Sequence, residues 1–255
     1  MTESRETDSR ETEVIRAFVE LSNELVNDYD VVEMLAQLTT RCASLLDIAS
    51  AGLLLGDSQD QLHLVAASSD RTHHLEVFQL QRDEGPCLDC FRDGEPVTVQ
   101  DLEAEASRWP EFCRAADIVG FRSVHALPMR LKGTVLGTLG LFGKEPGGLG
   151  EDDLALAQAL VHVASVAIVN ERAATDRDTV NAQLERALSS RIAVEQAKGV
   201  LAHAGEMEMD EAFIVLRRYS RDHGRKLSEV ADEIVRRELP HQTLLEHAQA
   251  TAVLG

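Results

Sequence analysis

Between Glu151 and His203 the chain contains no proline and a single glycine, Gly199. Proline breaks a helix interior, and glycine there costs about 1 kcal/mol relative to alanine. Their near-absence over so long a stretch predicts helix throughout, either one rod or two helices with a joint near Asn170–Asp178. Strands are therefore confined to the part that precedes it, and a separate helical module follows. The run Leu154–Asn170, LALAQALVHVASVAIVN, is the longest uncharged one. It is shorter than the ~20 residues that cross a bilayer and contains Gln158, His162 and Ser165, so a buried or dimer-forming helix is expected. Further along, Val180, Leu184, Ala187 or Leu188, Arg191 and Val194 approach heptad spacing, which predicts a dimerising coiled coil in a connector over 173–188, with a single solvated connecting helix as the alternative.

Ahead of this stretch the hydrophobic period alternates. Val14, Phe18, Leu21 and Leu25 recur at helical spacing, as do Val32, Leu35, Leu38 and Cys42 in a second helix from Val31 to about Leu46. Ala51–Leu55 and Leu62–Ala67 are short apolar runs split by GDSQD, which reads as a hairpin. A short helix at His74–Leu80, the turn Glu84-Gly85-Pro86, a strand at Pro96–Val99 and a helix at Arg108–Val119 follow. Ser123–Leu131 and Thr134–Phe142 form a second hairpin about Lys132-Gly133. The order predicts an α+β domain: one antiparallel sheet with helices on its faces.

Charge separates the halves. The chain holds 25 Lys+Arg against 44 Asp+Glu, a net charge of −19. Residues 186–240 hold ten of each sign, leaving 15 basic against 34 acidic side chains elsewhere. The acidic body excludes a generally adhesive nucleic-acid binder. The N-terminal repeat SRETDSRETE reads as a disordered tail over 1–13, with no apolar segment of a secretory signal. A cytoplasmic protein is expected. Its four cysteines, Cys42, Cys87, Cys90 and Cys113, are then packing thiols, with a thiol sensor at the lone Cys87-Leu-Asp-Cys90 pair as the alternative. No metal site is nominated, no cofactor is required, and no nucleophile–base constellation appears, so a non-enzyme is expected.

The runs EGPCLDCFRDGEPVTVQD, RWPEFCRAADIVGFRSVHALPM and GTVLGTLGLFG resemble a GAF domain, over residues 14–172. The resemblance implies a small-molecule or redox sensing module. The Asn-Lys…Asp-Glu signature of its cyclic-nucleotide-binding relatives is lacking, and the ligand is left unknown. Cys87, Cys90 and His125 are the candidate pocket or redox residues; His125, alone in an apolar strand, reads first as a hydrogen-bonded core residue.

In the C-terminal part, SSRIAVEQAKGVLAHAG reads as a helix with Gly199 at its middle. At about 100° per residue, Val194, Ala197, Leu201, Ala193, Val200 and Ala204 fill one arc, a predicted core face. Arg191 and Lys198 fall at its edge, with Glu195 spaced to pair with both. A second helix over Asp210–Arg221 places Ala212, Phe213, Leu216 and Ser220 on one face and Arg217, Arg218 and Arg221 on another. His223-Gly224 ends it, Arg225 and Lys226 extend the basic cluster, and a third helix runs from Leu227 to about Glu238. Three facing apolar stripes predict a small bundle, with 241–255 as a tail. A helix-turn-helix for DNA is disfavoured: the third helix would present Glu229, Asp232 and Glu233 to phosphates.

SSRIAVEQAKGVLAHAG, DEAFIVLRRYSRD and RKLSEVADEIV closely resemble an ANTAR domain, over about residues 182–240, with its bundle at 189–240. The resemblance implies binding, as a homodimer, to paired hexaloop hairpins of nascent transcripts, which prevents a terminator hairpin from forming. It implies RNA contacts from Arg191, Ala197, Lys198, Gly199, Arg217, Arg218, Arg221 and Arg225, with Lys226 adjoining. Gly199 would then admit RNA or a neighbouring helix close to the backbone. Tyr219, the aromatic near the cluster, reads equally as a base-stacking or a core residue. Met209 stands where a capping residue is expected, which leaves the second helix weakly started. The expectation is a transcription antiterminator whose GAF signal, a small molecule or a redox change, sets connector geometry. The alternative is a sensor whose C-terminal bundle binds a protein partner.

Overall fold

A computed structural model of the chain describes residues 12–21, 30–131, 133–170 and 177–252. It divides into two compact units, with the division inside a helix between Glu185 and Arg186.

The first unit is an α+β domain. Helix α1 (12–21) and α2 (Val31–Leu45) precede the hairpin β1 (Ser50–Gly56) and β2 (Leu62–Ala67). Then come α3 (Asp70–Arg82), α4 (Pro86–Asp93), β3 (Val97–Val99), α5 (Pro110–Val119), β4 (Ser123–Leu131), β5 (Thr134–Gly143) and α6 (Glu151–Asn170). The five strands form one antiparallel sheet in the order β2-β1-β5-β4-β3. Local chemistry sets the helix starts. The Asp30 carboxylate accepts from the Val32 and Glu33 amides at 2.9 and 3.1 Å, capping α2. Ser69 caps α3 through the Thr72 amide, so that helix begins ahead of the expected His74. Pro86 at the first turn of α4 makes a helix of what the sequence showed only as a turn.

Both faces of the sheet are covered, which is why every residue of β1 is buried. Alternation sends Ser50, Gly52 and Leu54 to one face and Ala51, Leu53 and Leu55 to the other. The first face packs on α3, α4 and α5 in a core that holds Leu54, Leu75, Cys87, Cys90, Phe112, Val124, Ala126 and Phe142. The second meets α2 and α6.

The second unit contains the C-terminal part of α7 (Arg177–Gly205), α8 (Met209–Asp222), α9 (Leu227–Val235) and α10 (His241–Ala252). The segment set apart as a tail thus holds a helix. Its Leu244 and Leu245 are buried and it packs on α8. The buried stripe of α7 is Val194, Ala197 and Leu201, together with Arg191. Val200 and Ala204, assigned to the core from the helical wheel, are exposed. Val200 stands about 100° from Leu201, outside the arc that the neighbouring helices cover. The start of α8 is fixed by its neighbours rather than by Met209: the Glu208 amide donates to the Glu211 carboxylate at 3.4 Å, half of a capping box. Residues 173–176 of the expected connector, and the side chains of 177–187, which include Val180, Leu184 and Ala187 of the heptad reading, lie outside the described residues.

Candidate sensor core and nucleic-acid interface

On the first unit, the chemistry gathers on the sheet face under α3 and α4. Gly52 of β1 and Gly140 of β5 are directly paired. A methyl group on either would lie 2.7 or 2.8 Å from Oε1 of Glu76, so the two glycines open a notch for that carboxyl. Glu76 is fully buried. Its Oε2 accepts from Gln79 and its Oε1 from the Cys87 thiol at 3.6 Å. The Gln79 side-chain carbonyl in turn accepts from the Cys87 amide at 3.3 Å. Burial pushes the Glu76 carboxyl up to about 8, against the lowering effect of its two hydrogen bonds. The site therefore holds a neutral acid near pH 7. On the same face, by alternation from Gly140, Thr138 is fully buried. Its hydroxyl has no hydrogen-bond partner among the described residues. An open cavity of about 720 Å³ lies beside Leu62, Leu80, Leu88 and Phe91, of which Leu62 and Leu88 belong to this core.

Cys87 and Cys90 are buried and form no disulfide. Burial and then the Glu76 charge push the Cys87 thiol far up, and burial pushes Cys90 up to about 12. Both are held as thiols, the unreactive form. His125 pairs with Leu141 on the other sheet face, towards α2 and α6, and not with the Glu76 cluster. Its Nε2 accepts from the Leu149 amide at 3.2 Å, which leaves Nδ1 protonated towards the Thr98 hydroxyl at 3.2 Å. Burial draws its pKa down. His125 ties β4 to β3 and to the loop before α6, and it does not join the pocket residues. Glu76, Gln79 and Thr138 were missed by the sequence reading. The signal for Glu76 and Gln79 was a polar pair at helical spacing on what proves to be the inner side of α3.

On the second unit, Arg191, Glu195 and Lys198 form the expected chain of ion pairs along α7. Arg191 pairs with Glu195, and Lys198 meets the same carboxylate at 3.1 Å. Arg191 is nine per cent exposed, and burial draws its guanidinium down against the opposing pull of Glu195. The Lys198 ammonium also stands 5.6 Å from the ring centroid of Phe213 on α8, a cation–π contact. This joins the Ala-Lys-Gly segment of α7 to the helix that carries the arginines. Arg218 and Arg221 are exposed and Arg217 is partly so. Arg225 instead grips Glu233 with both nitrogens, at 3.0 and 2.5 Å. Lys226 caps the start of α9 by position.

Two sequence-selected residues take other roles. Ala197 is fully buried between Val194 and Leu201 in the stripe of α7, so it packs the bundle and presents no side chain to RNA. Tyr219 is seven per cent exposed. Its ring stacks on His223 at 4.0 Å and meets His247 of α10 edge-on at 5.4 Å, which makes it a core residue. Gly199 has room on its outer side: among the described residues, no atom beyond its chain neighbours and the backbone of its own helical turns lies within 4 Å of where its side chain would begin. Among the described residues, no cluster of His, Cys, Asp and Glu fits a metal ion, and no helix is long and apolar enough to cross a membrane.

Comparison with known proteins matches these two sites to two families. The family model for the GAF domain matches residues 28–169, and that for the ANTAR domain matches residues 182–235. No curated relative matches the chain. Similar solved structures include the GAF domain of an Acinetobacter phosphoenolpyruvate-protein phosphotransferase, 15% identical, covering 62% of this chain and 93% of that one at a TM-score of 0.48. The GAF domain of the Coxiella burnetii phosphoenolpyruvate-protein phosphotransferase is likewise 15% identical, with coverage of 62% and 94% and a TM-score of 0.49. A GAF domain/HD domain protein from Geobacter sulfurreducens is 17% identical, with coverage of 62% and 95% and a TM-score of 0.46. With its matched segment spanning the sheet and the helices on both its faces, the chain belongs to the GAF-domain family, and it carries an ANTAR domain behind that sensor.

Proposed function

We propose that the protein is a non-catalytic, cytoplasmic transcription antiterminator. It acts as a homodimer, binds paired hexaloop RNA hairpins through its ANTAR domain, and so keeps a terminator hairpin from forming. The observation that carries this reading is the basic stripe of α8, Arg217, Arg218 and Arg221, tied to the Ala-Lys-Gly segment by the Lys198–Phe213 contact on an otherwise acidic chain. Cations in such number supply the counterion-releasing phosphate contacts on which RNA affinity depends. The signal enters at the GAF domain, on the sheet face where Glu76 and Thr138 are buried. A small molecule with hydrogen-bonding groups suits that face better than an oxidant, because the thiols there are held protonated.

The test is fluorescence anisotropy of the full chain with a labelled two-hairpin RNA, a loop-scrambled control and a salt series. Loop-dependent binding that weakens with salt, and is lost in the Arg217→Ala/Arg218→Ala/Arg221→Ala variant, supports the reading. Equal binding to the scrambled loops, or full binding by the triple variant, defeats it.

A further inference from the structure

Ile214 is 56% exposed on α8. One exposed isoleucine is ordinary on a protein surface; its setting here is not. The buried stripe of α8 is complete without it: Ala212, Leu216, Tyr219 and Ser220. Ile214 instead begins the stripe 214, 217, 218, 221, the spacing that places side chains on one face of a helix, and the other three positions are arginines. Ile192 and Val200, exposed on α7, have no cation three or four residues away in either direction. Acidic side chains flank the stripe at Asp210 and Glu211, one turn before Ile214, and at Asp222, four residues after Arg218; the Glu211 carboxylate is engaged by the Glu208 amide and that of Asp222 by His247.

The aromatic rings near this face are already occupied. Tyr219 is enclosed by His223 and His247, and the Phe213 ring lies against Lys198. A ligand that complements the face brings negative charge towards its arginines and a flat apolar surface for one branched aliphatic side chain. Unpaired nucleotides bring both, whereas duplex RNA offers mainly phosphate and 2′-hydroxyl groups. We propose that Ile214 is the base-contacting residue of this interface: it packs against an unpaired loop nucleobase while Arg217, Arg218 and Arg221 hold the flanking phosphates. This rests on the RNA-binding reading above and adds to it a residue that selects looped-out over paired RNA.

The experiment uses the full chain with Ile214→Ser and Ile214→Leu, the labelled two-hairpin RNA, and a set of the same RNA carrying one abasic loop position each. Ile214→Ser is expected to weaken binding by about 5-fold or more, because the variant no longer buries apolar surface against the base. Ile214→Leu retains the affinity. The dependence of affinity on salt stays that of the wild type, because no phosphate contact is lost; replacing an arginine instead lowers the slope by about one. At one loop position the abasic RNA binds wild type weakly and shows no further loss with Ile214→Ser. Wild-type-like binding by Ile214→Ser overturns the proposal, as does a loss that is equal for every abasic RNA. A change in the sedimentation mass of Ile214→Ser without a change in RNA affinity assigns the face to protein association and overturns it too. If the wild-type chain binds none of these RNAs, the RNA reading itself falls and Ile214 falls with it; a wild type that binds while Ile214 is inert removes the present inference alone.

Discussion

Gly52 and Gly140 face each other across the two central strands, and the space their missing side chains leave is filled by the carboxyl of Glu76. The pairing puts an acid where a sheet of this kind ordinarily packs aliphatic side chains, and it defines how the sensor face responds to substitution.

A methyl group at residue 140 would meet Glu76 Oε1 at 2.8 Å, the Cys87 sulfur at 2.9 Å and the Phe142 ring at 3.0 Å. None can retreat freely, since all three residues are fully buried. Gly140→Ala is therefore expected to destabilise the GAF domain by about 1–3 kcal/mol, the usual cost of overpacking. The single tryptophan of the chain, Trp109, is buried in the core of that face, so its fluorescence during urea unfolding reads this domain. An unchanged midpoint would show that the notch is slack.

Glu76 makes the same domain pH-sensitive. Its folded pKa, about 8, lies above the ordinary value of 4.5. The folded state thus holds a proton that the unfolded state has released. Stability from this group is fully present below about pH 4.5 and is lost as pH rises towards 8, at about 1.4 kcal/mol per unit. The titratable group in contact with it, among the described residues, is Cys87, itself pushed up by burial and by Glu76 and so held as the neutral thiol. Glu76→Gln keeps the shape and removes the titration. Its Trp109-detected stability should stay flat between pH 5 and pH 8, where the wild type declines. Parallel curves for the two proteins would refute the assignment.

All four cysteines, Cys42, Cys87, Cys90 and Cys113, are buried and in no disulfide. Burial raises Cys42 to about 12 and Cys113 to about 11. In the native chain a disulfide reagent should label them only slowly, with labelling accelerated by urea. Cys113 is expected first, as it lines an open cavity of about 480 Å³ with Pro110 and Phe121. Rapid labelling of Cys87 in the native state would restore a thiol-sensing role.

Gly199 separates stability from binding. Its side-chain position is open and helical, so Gly199→Ala should stabilise the second unit by about 0.5–1 kcal/mol. If RNA approaches the backbone there, the same variant binds the two-hairpin RNA more weakly despite its higher melting point. A variant that is more stable and binds as well as wild type would leave the glycine without a role in RNA contact.

The sequence by itself determined most of the element order, though neither α4 nor α10, and with it the antiparallel hairpins, the two families and the Arg191–Glu195–Lys198 pairing. All of these follow from periodicity, turn residues and helical spacing, which are local. It could not place Glu76, whose burial is set by two glycines on strands distant in sequence. Nor could it decide between the two readings of Tyr219, which the α10 ring of His247 settles, or keep Ala197 and Val200 apart, since both lie on a wheel whose covered arc only the neighbouring helices define. Tertiary structure also turned His125 away from the sensor face, because a strand's alternation gives two sides and only packing says which helices lie on each. Periodicity tells which residues share a face; what covers that face is decided by contacts between segments far apart along the chain.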